Sequence, residues 1–344
     1  MSKRAFITGV AGQDGSYLAK LLLNNGYEVL GTDLPHTCEH PWRHEELGIR
    51  DRIRWIAMDL SHVESIRSVL HDCKPDEIYN FAGQSFVGGG MEDSLHTADS
   101  TAMSVVRLLE AIRWECPDVR FFQASSSEMF GDGTISPQNE ETPFAPRGSY
   151  GISKMFAHCM TVHYRTAFNL HASCGILFNH ESPLRAIHFL TRKVTATLAR
   201  IQCGSQETLE VGRLDARRDW GYAGDYVQGI WRMIQESEPG DYVLATGETH
   251  TVRSFVETAA QAAGMEIAWD GTGMNEIGID RRSGRILVRI NPDYWRPPEK
   301  IVLQGYASKA ERTLSWRPGV AFEEWVRRMV ETDLNRVKSG AILK

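Results

Sequence analysis

Short apolar runs alternate with amphipathic helical patterns through the first half of the chain, and this alternation constrains the fold more than any other feature. The apolar runs lie at residues 5–8, 29–32, 54–58, 78–81, 121–124 and 173–178. Strict alternation of strand and helix predicts a parallel sheet with helices on both faces. We therefore predict an α/β fold with a doubly wound parallel Rossmann sheet, which binds ligands at the carboxyl ends of its strands.

The pattern becomes irregular after residue 178, which predicts a second and smaller α/β domain. A length of 344 residues is compatible with about two domains. We expect residues 1–178 to form a dinucleotide-binding domain and residues 179–344 to form mainly a substrate-binding domain. The run 240–246 has the pattern of a buried strand, so parts of 215–250 are expected to complete the first sheet.

Composition and charge narrow the possible partners. The formal net charge of −6 disfavours nucleic acid or an anionic membrane as the main partner. Apolar runs stay well short of the roughly 20 residues that span a bilayer, and residues 1–10 lack a signal-peptide pattern. The six cysteines include no C-x-x-C pair, so no metal site is expected. We predict a cytoplasmic protein with reduced thiols.

A glycine-rich turn follows the first predicted strand and opens the first predicted helix. It contains Gly9, Gly12 and Gly15. Glycines at such a turn let backbone N–H groups approach a pyrophosphate at the positive end of the helix. Because the turn lies between a strand and a helix, it predicts a dinucleotide site.

Two aspartates end the next strands and could contact the adenosine half of a dinucleotide. Asp33 lies 18 positions after Gly15 and suits the ribose hydroxyls. Its charge would repel a 2′-phosphate, so it predicts NAD over NADP. The alternative is a loop aspartate before Pro35. Asp59 and Leu60 suit the adenine edge, but an aspartate there is equally typical of a helix cap.

Four side chains that could perform acid/base chemistry lie between residues 126 and 154. Ser126 and Glu128 follow the 121–124 strand, and Tyr150 and Lys154 lie one helical turn apart. A neighbouring ammonium favours phenolate, so we expect Lys154 to lower the pKa of Tyr150. Each feature alone has an ordinary structural explanation, such as a cap, a surface charge or a packed ring. Together they offer one acid/base group more than alcohol oxidation needs, which indicates elimination or epimerisation.

The longer motifs around these residues resemble one enzyme family. The chain resembles the extended short-chain dehydrogenase/reductases and, within them, the GDP-mannose 4,6-dehydratase family. The resemblance covers nearly the whole length. It is carried by residues 7–18, 124–128, 150–154, 177–183, 218–223, 245–250 and 296–299.

The resemblance implies a mechanism for the four side chains. Tyr150, assisted by Lys154, would take the C4 hydroxyl proton as hydride passes from C4 to the nicotinamide. Glu128 would then remove the C5 proton. Ser126, where the family usually has threonine, would assist. Water leaves from C6 and the hydride returns there, so the cofactor is recycled.

The resemblance also implies binding contacts. The family's cofactor contacts would fall on Gly9, Gly12, Gln13, Asp14, Asp59, Leu60, Phe81, Ala82, Gly83, Gln84, Ser85, His180 and Arg185. The residue patterns described above add Gly15, Asp33, Tyr150 and Lys154. The GDP-sugar would contact Ser85, Asn179, Glu181, Lys193, Arg218, Arg296 and Glu299.

The chain departs from the family pattern in places that bear on its ligands. After the second strand, Thr32–Pro35 stands where the family has an arginine and serine run that binds the NADP phosphate and reaches a neighbouring subunit. The sequence therefore leaves open whether the cofactor is NAD or NADP and whether the chain forms a homodimer or a homotetramer. Gly88–Gly90 could widen the sugar pocket for GDP-manno-heptose or could form only a looser turn. Leu184–His188 also differs from the family.

The sequence therefore supports one leading function and three alternatives. The leading hypothesis is a GDP-sugar 4,6-dehydratase that acts on GDP-mannose. The alternatives are a GDP-manno-heptose 4,6-dehydratase, a C4 epimerase or dehydrogenase of the same fold, and a non-enzymatic dinucleotide-binding redox sensor.

Overall fold

The computed structural model describes residues 2–84, 93–296 and 301–341. The helices are α1 (Gln13–Asn24), α2 (Pro35–Glu39), α3 (Trp42–Leu47), α4 (Val63–Cys73), α5 (Ser94–Thr97), α6 (Ser104–Glu115), α7 (Ser149–Phe168), α8 (Leu190–Gln202), α9 (Ala223–Gln235), α10 (Val252–Ala262), α11 (Ser308–Leu314) and α12 (Phe322–Lys338). Short 3₁₀ helices include Ser127–Met129, and Ala98–Met103 is a π-helix between α5 and α6.

The strands follow in chain order. They are β1 (Arg4–Thr8), β2 (Glu28–Thr32), β3 (Ile53–Trp55), β4 (Glu77–Asn80), β5 (Arg120–Ser126), β6 (Ala172–Leu177), β7 (Asn179–Glu181), β8 (Leu209–Val211), β9 (Arg217–Arg218), β10 (Trp220–Tyr222), β11 (Asp241–Leu244), β12 (His250–Thr251), β13 (Ile267–Asp270), β14 (Ile277–Asp280) and β15 (Ile286–Ile290).

A seven-stranded sheet forms the centre of the first half, in the order β11-β6-β5-β4-β1-β2-β3. All of its strand pairs are parallel. One face packs against α1 and α9, and the other against α4, α6 and α7. The predicted doubly wound sheet is therefore confirmed. The strand order reverses between β1 and β4, and sheets of this kind bind ligands at such a switch point.

The edge of this sheet differs slightly from the sequence-based expectation. The strand predicted at residues 54–58 is β3, which ends at Trp55 because it pairs only with Val29–Gly31 of β2. The next carbonyl along β2, that of Thr32, accepts hydrogen bonds from the Gly9 and Val10 N–H groups instead. The end of β2 is thus used to hold the glycine turn.

The chain after residue 178 forms smaller sheets and a second helical layer. β7 pairs with β10, β9 pairs with β12, and a four-stranded sheet has the order β13-β14-β15-β8. A core of apolar side chains from α8, α10 and α12 packs on this last sheet. The strand predicted at 240–246 lies in the first sheet, where β11 pairs with β6.

Two further findings concern the surface and the thiols. In the described part of the chain, helices are too short or too polar to span a membrane. Cys73, Cys116, Cys159, Cys174 and Cys203 are free thiols.

A buried ion pair joins α8 to α12. Arg192 Nη1 lies 2.9 Å from Asp333 Oδ2, and both side chains are fully buried. Thr195 donates a further hydrogen bond of 2.8 Å to the same Asp333 oxygen. Arg336 binds the other Asp333 oxygen at 2.9 Å. Because a buried charge is costly without its partner, this pairing fixes how the two helices pack.

We expect Asp333→Asn to lower the free energy of unfolding by about 3 kcal/mol, because it leaves the Arg192 charge buried without a counter-ion. Urea unfolding followed by tryptophan fluorescence measures the change, since Trp325 is buried on the same helix. The matched control is Glu324→Gln, which removes an exposed carboxylate of α12 that pairs with Arg327. Equal curves for the two variants would contradict the prediction.

Candidate active site

The four side chains predicted to be catalytic lie together at the ends of β5 and α7. Ser126 ends β5, Glu128 lies in the following 3₁₀ turn, and Tyr150 and Lys154 occupy the first turns of α7. The Ser126 side chain hydrogen-bonds to the Tyr150 phenol. Its oxygen also accepts the Glu128 N–H at 3.2 Å. The serine therefore connects the carboxylate-bearing turn to the phenol.

The close approach of these two elements depends on Gly151. A Cβ atom at this position would lie 2.7 Å from the Glu128 carbonyl oxygen, which is closer than carbon and oxygen approach without a shift of the backbone. A glycine directly after Tyr150 thus lets the start of α7 contact the Glu128 turn. The sequence-based interpretation did not predict this role, although Gly151 lies inside the 150–154 motif.

The protonation states of Tyr150 and Lys154 differ from the prediction. Burial raises the pKa of Tyr150 to about 12, with a further contribution from the charge of Glu128. Burial lowers the pKa of Lys154 to about 8. The Lys154 Nζ donates to the Ala124 carbonyl at 2.9 Å and lies 5.7 Å from the centre of the Tyr150 ring. The expected lowering of the tyrosine pKa is therefore wrong for this structure.

The glycine turn forms a cradle at the start of α1. Gly9 has a left-handed φ of +69°, and a Cβ atom at Gly15 would lie 2.3 Å from the Gly9 carbonyl oxygen. Only glycine permits this packing of helix against turn, and Gly12 is the residue that precedes the helix. Backbone N–H groups at a helix start suit a pyrophosphate. The residues present therefore fit a dinucleotide.

A polar network ties the glycine turn to β7. The Gln13 side chain donates to the His180 carbonyl at 3.1 Å and accepts from the Ser182 hydroxyl at 2.8 Å. His180 Nε2 lies 3.0 Å from Asp14 Oδ2. Although burial opposes both charges, this attraction lowers the pKa of Asp14 to about 2 and raises that of His180. The charges of Asp14 and Arg185 also act on Tyr150, so the turn borders the catalytic group.

Other residues predicted to bind the cofactor follow the carboxyl ends of β2 and β4. Asp33 accepts N–H groups from Ala11 and Leu34 at 2.9 and 2.8 Å. Phe81–Gln84 follows β4, where Gln84 bonds to Thr97 and Thr101.

Asp59 is exposed, and it forms the turn at the start of α4, as the alternative to an adenine contact predicted. Its carboxylate accepts the N–H of Ser61 at 2.8 Å and the Ser61 hydroxyl at 2.6 Å. These bonds form the turn that leads into α4 and lower the pKa of Asp59 to about 2. Leu60 lies beside it and is half-buried. Contact of either residue with adenine stays a prediction.

The side chains predicted to hold the GDP-sugar are more dispersed. The Lys193 Nζ lies 3.9 Å from the centre of the Tyr294 ring, near Arg296 in sequence, and burial lowers its pKa. Glu181 is buried and accepts a 2.5 Å hydrogen bond from Thr191. Asn179 begins β7, and Arg218 ends β9. The predictions for Ser85, Phe86–Gly90 and Glu299 lie outside the described residues.

A second missed residue is Arg43, which contacts both the glycine turn and the segment after β7. Its Nη1 donates to the Ala11 carbonyl at 3.0 Å, and its Nε donates to the Leu184 carbonyl at 2.7 Å. Its guanidinium carbon lies 4.5 Å from the centre of the Trp42 ring. The sequence offered one signal, the pair Trp42–Arg43, which is similar to the pair Trp295–Arg296 at a predicted substrate contact.

Three neighbouring side chains, two buried and one half-buried, are of types that can bind a metal ion. The ligand atoms of His158, Cys174 and Asp241 lie within 4.8 Å of one another. Arg165, however, binds both oxygens of Asp241 at 2.9 and 2.8 Å, and a cation would compete with this guanidinium. His158 also hydrogen-bonds to Ser125 at 3.0 Å. The group therefore joins α7 to strands β5 and β11 of the sheet.

Comparisons with known proteins agree with this geometry. A family model described as GDP-mannose 4,6 dehydratase matches residues 6–329. The chain is 44% identical to a GDP-mannose 4,6 dehydratase of Drosophila melanogaster, over 99% of this chain and 88% of that protein. It is also 44% identical to a GDP-mannose 4,6-dehydratase of Sinorhizobium fredii, over 98% of both chains.

A solved structure shows the same fold. The dTDP-glucose 4,6-dehydratase of Bacillus anthracis, crystallised with NAD, superimposes with a TM-score of 0.81 at 18% identity. The alignment covers 98% of this chain and 98% of that chain.

We expect Lys154→Met to stabilise the protein at neutral pH, because the buried ammonium is costly. The unfolded chain keeps the Lys154 proton up to its ordinary pKa of 10.5, whereas the folded chain releases it near 8. That difference corresponds to about 3 kcal/mol. The advantage of the variant should be full below pH 8 and should shrink as pH rises from 8 to 10.5.

Unfolding midpoints of the two proteins, compared across that pH range, measure the effect. Lys74→Met removes an exposed lysine and serves as the control. A stability difference that does not change between pH 7 and 10.5 would contradict the prediction.

Proposed function

Because the chain belongs to the GDP-mannose 4,6-dehydratase family, we propose that it removes water from GDP-mannose to give a GDP-4-keto-6-deoxy sugar. The observation that carries this proposal is Glu128, whose charge acts on the Tyr150 phenol at the end of β5. Simple oxidation of an alcohol needs one proton acceptor. A carboxylate beside it supplies a base for a second carbon.

We infer that the first step occurs at C4 of the sugar. Tyr150 accepts the C4 hydroxyl proton, and the Ser126 hydroxyl that bonds to the phenol opposes the rise in its pKa. Lys154, with a pKa of about 8, keeps most of its positive charge at neutral pH. When bound, an oxidised nicotinamide dinucleotide supplies the hydride acceptor and a positive charge, which favours phenolate.

The elimination then depends on Glu128. Once C4 is a carbonyl, the C5 proton becomes acidic, and Glu128 removes it. That proton leaves with the C6 hydroxyl as water. C6 takes back the hydride that left C4, and C5 takes the proton that Tyr150 had accepted. The net change is the loss of one water, with no net oxidation.

The cofactor site is assigned to the glycine turn, with the pyrophosphate at the start of α1. Gly9 and Gly15 let the turn pack closely against the chain after β4 and against the start of α1, and the Gln13 and His180 network fixes the turn. We assign the GDP-sugar to the chain from residue 179 onward, where Lys193 lies against the Tyr294 ring. The cytoplasmic location stays a prediction.

The alternatives differ in what they require of Glu128 and Tyr150. A C4 epimerase or a dehydrogenase needs no base at C5, so Glu128 would be dispensable. A redox sensor needs neither Tyr150 nor Lys154. A heptose substrate was suggested by the glycines at 88–90, which lie outside the described residues. GDP-mannose is preferred because the matching family model and the relatives at 44% identity are described by this substrate.

We expect the purified protein to convert GDP-mannose to a product that has lost one water, and Glu128→Gln to lower kcat by about 10²–10⁴-fold. The variant should still oxidise C4, so reduced nicotinamide should accumulate in a single turnover. Mass spectrometry detects the loss of water, and nicotinamide absorbance detects the reduced cofactor. Glu141→Gln, an exposed carboxylate in the loop before α7, is the control.

Each other outcome selects a rival. Unchanged turnover by Glu128→Gln would exclude elimination, and net production of reduced cofactor by the unaltered enzyme would indicate a dehydrogenase. Water loss from GDP-manno-heptose but not from GDP-mannose would replace the hexose by the heptose as substrate.

We also propose that the chain associates with a second copy through α6 and α7. These neighbouring helices expose four large apolar side chains: Trp114 (64% exposed), Ile152 (50%), Phe156 (41%) and Phe168 (38%). Apolar patches of this kind mark association surfaces. A dimer would cover this face, and a tetramer would need a further contact.

We expect light scattering to give at least a dimer, and Phe156→Glu to shift the population toward a monomer by placing a charge on the covered face. Met274→Glu, which alters an exposed apolar residue remote in sequence from these helices, should leave the mass unchanged. A monomeric wild-type protein would refute the proposed association.

A further inference from the structure

One buried carboxylate, that of Asp219, joins three segments of the chain. Asp219 lies between β9 and β10 and is 1% exposed. Its Oδ1 accepts hydrogen bonds from the Thr246 N–H at 2.9 Å and from the Thr246 hydroxyl at 2.6 Å. Its Oδ2 accepts the N–H groups of Gly247 and Gly305, each at 3.0 Å. The carboxylate therefore holds the chain after β11 and the chain before α11 against the β9–β10 segment.

The neighbours of Asp219 in sequence belong to two different strand pairs. Arg218 pairs with His250 of β12, whereas Trp220 pairs with Asn179 of β7. Arg218 and Asn179 are both predicted to contact the GDP-sugar. Asp219 is thus the point at which the chain passes from one predicted contact to the strand that pairs with the other. A displacement of its backbone would move Arg218 relative to Asn179.

The third segment packs closely against the end of β11. Gly305 lies nine positions after Arg296, another predicted GDP-sugar contact. A Cβ atom at Gly305 would lie 2.1 Å from the Ala245 Cβ, so only glycine can bring its N–H to the carboxylate. The Gln304 side chain also donates to the Gly247 carbonyl at 2.6 Å. The chain that returns from Arg296 is therefore fixed to the same carboxylate as β9.

The hydrogen bonds to Asp219 are a strong geometric restraint because the carboxylate is buried. Burial raises the pKa of Asp219, and the bonds from Thr246, Gly247 and Gly305 oppose this rise. All of these donors are neutral groups, so their positions decide how well the buried charge is satisfied. A buried polar group that loses its partner costs free energy. Thr246 and Gly247 belong to the 245–250 motif, and this restraint gives that motif a physical role.

We propose that Asp219 is a positioning residue for the GDP-sugar, because it holds Arg218 and the chain that returns from Arg296 in their binding geometry. Asp219 is buried, so it acts through these residues. The inference rests on the proposed function. The alternative is that Asp219 only stabilises the fold, which would leave the affinity of the folded protein for its substrate unchanged.

Asp219→Asn tests the proposal because it keeps the shape of the side chain but replaces one acceptor oxygen by an amide donor. Either orientation of the amide leaves the N–H of Thr246, or those of Gly247 and Gly305, without an acceptor. We expect the KM for GDP-mannose and the dissociation constant of GDP to rise at least about tenfold, while kcat falls less than about threefold. Binding of NADH and NADPH should not change. Steady-state kinetics and calorimetry measure these quantities.

The matched control is Asp280→Asn. Asp280 is also buried, and it accepts the N–H and the hydroxyl of Ser283 at 3.0 and 2.6 Å. It ends β14, where no GDP-sugar contact is predicted. This variant should change neither the KM for GDP-mannose nor the dissociation constant of GDP.

A lower melting temperature of Asp219→Asn with unchanged affinity for GDP would overturn the proposal, and so would equal weakening of GDP and NADH. If that variant fails to fold, Thr246→Val removes the hydroxyl bond, keeps the backbone bond and should raise the KM for GDP-mannose about threefold. An unchanged KM in Thr246→Val would then overturn the proposal. Failure of the unaltered protein to bind GDP or to convert GDP-mannose would instead refute the proposed function.

Discussion

The active site depends on the contact between the start of α7 and the turn after β5. Gly151 permits this contact because a side chain there would overlap the Glu128 carbonyl. Once the two elements touch, the Ser126 hydroxyl can bond both to the phenol of Tyr150 and to the backbone of Glu128. The Tyr150 phenol and the turn that carries Glu128 are therefore held by backbone packing, and their spacing does not rely on a flexible loop.

The same contact explains why the tyrosine is a poor base in this structure. Packing that brings Glu128 close also buries the phenol, and both effects disfavour the phenolate. Lys154 is buried by the same helix start and bonds to a strand carbonyl. This burial lowers the pKa of Lys154 to about 8, so the side chain keeps most of its positive charge at neutral pH. A positive charge bound beside the phenol would lower the pKa of Tyr150 and favour the phenolate.

Much of the architecture could be predicted because it depends on local pattern. Alternating apolar runs predicted the sheet, and the glycine turn and the 126–154 residues indicated which strand ends matter. The pKa of Tyr150 could not be predicted, since the spacing of Tyr150 and Lys154 does not reveal their depth in the protein. Arg43 was missed because its contacts with Ala11 and Leu184 join segments far apart in sequence. Asp59 shows a third limit. Its carboxylate forms the turn before α4 and is also exposed, so the sequence does not decide between a role in the turn and a contact with a ligand.

The position of β11 has a consequence for how the chain comes together during synthesis. β6 pairs with β5 on one side and with β11, residues Asp241–Leu244, on the other. Until the ribosome has made the latter segment, the apolar edge of β6 lacks its neighbour, and an open strand edge invites pairing with other chains. The seven-stranded sheet is thus completed only after much of the second half has been translated. A cut between the halves would leave a sheet with an unpaired edge.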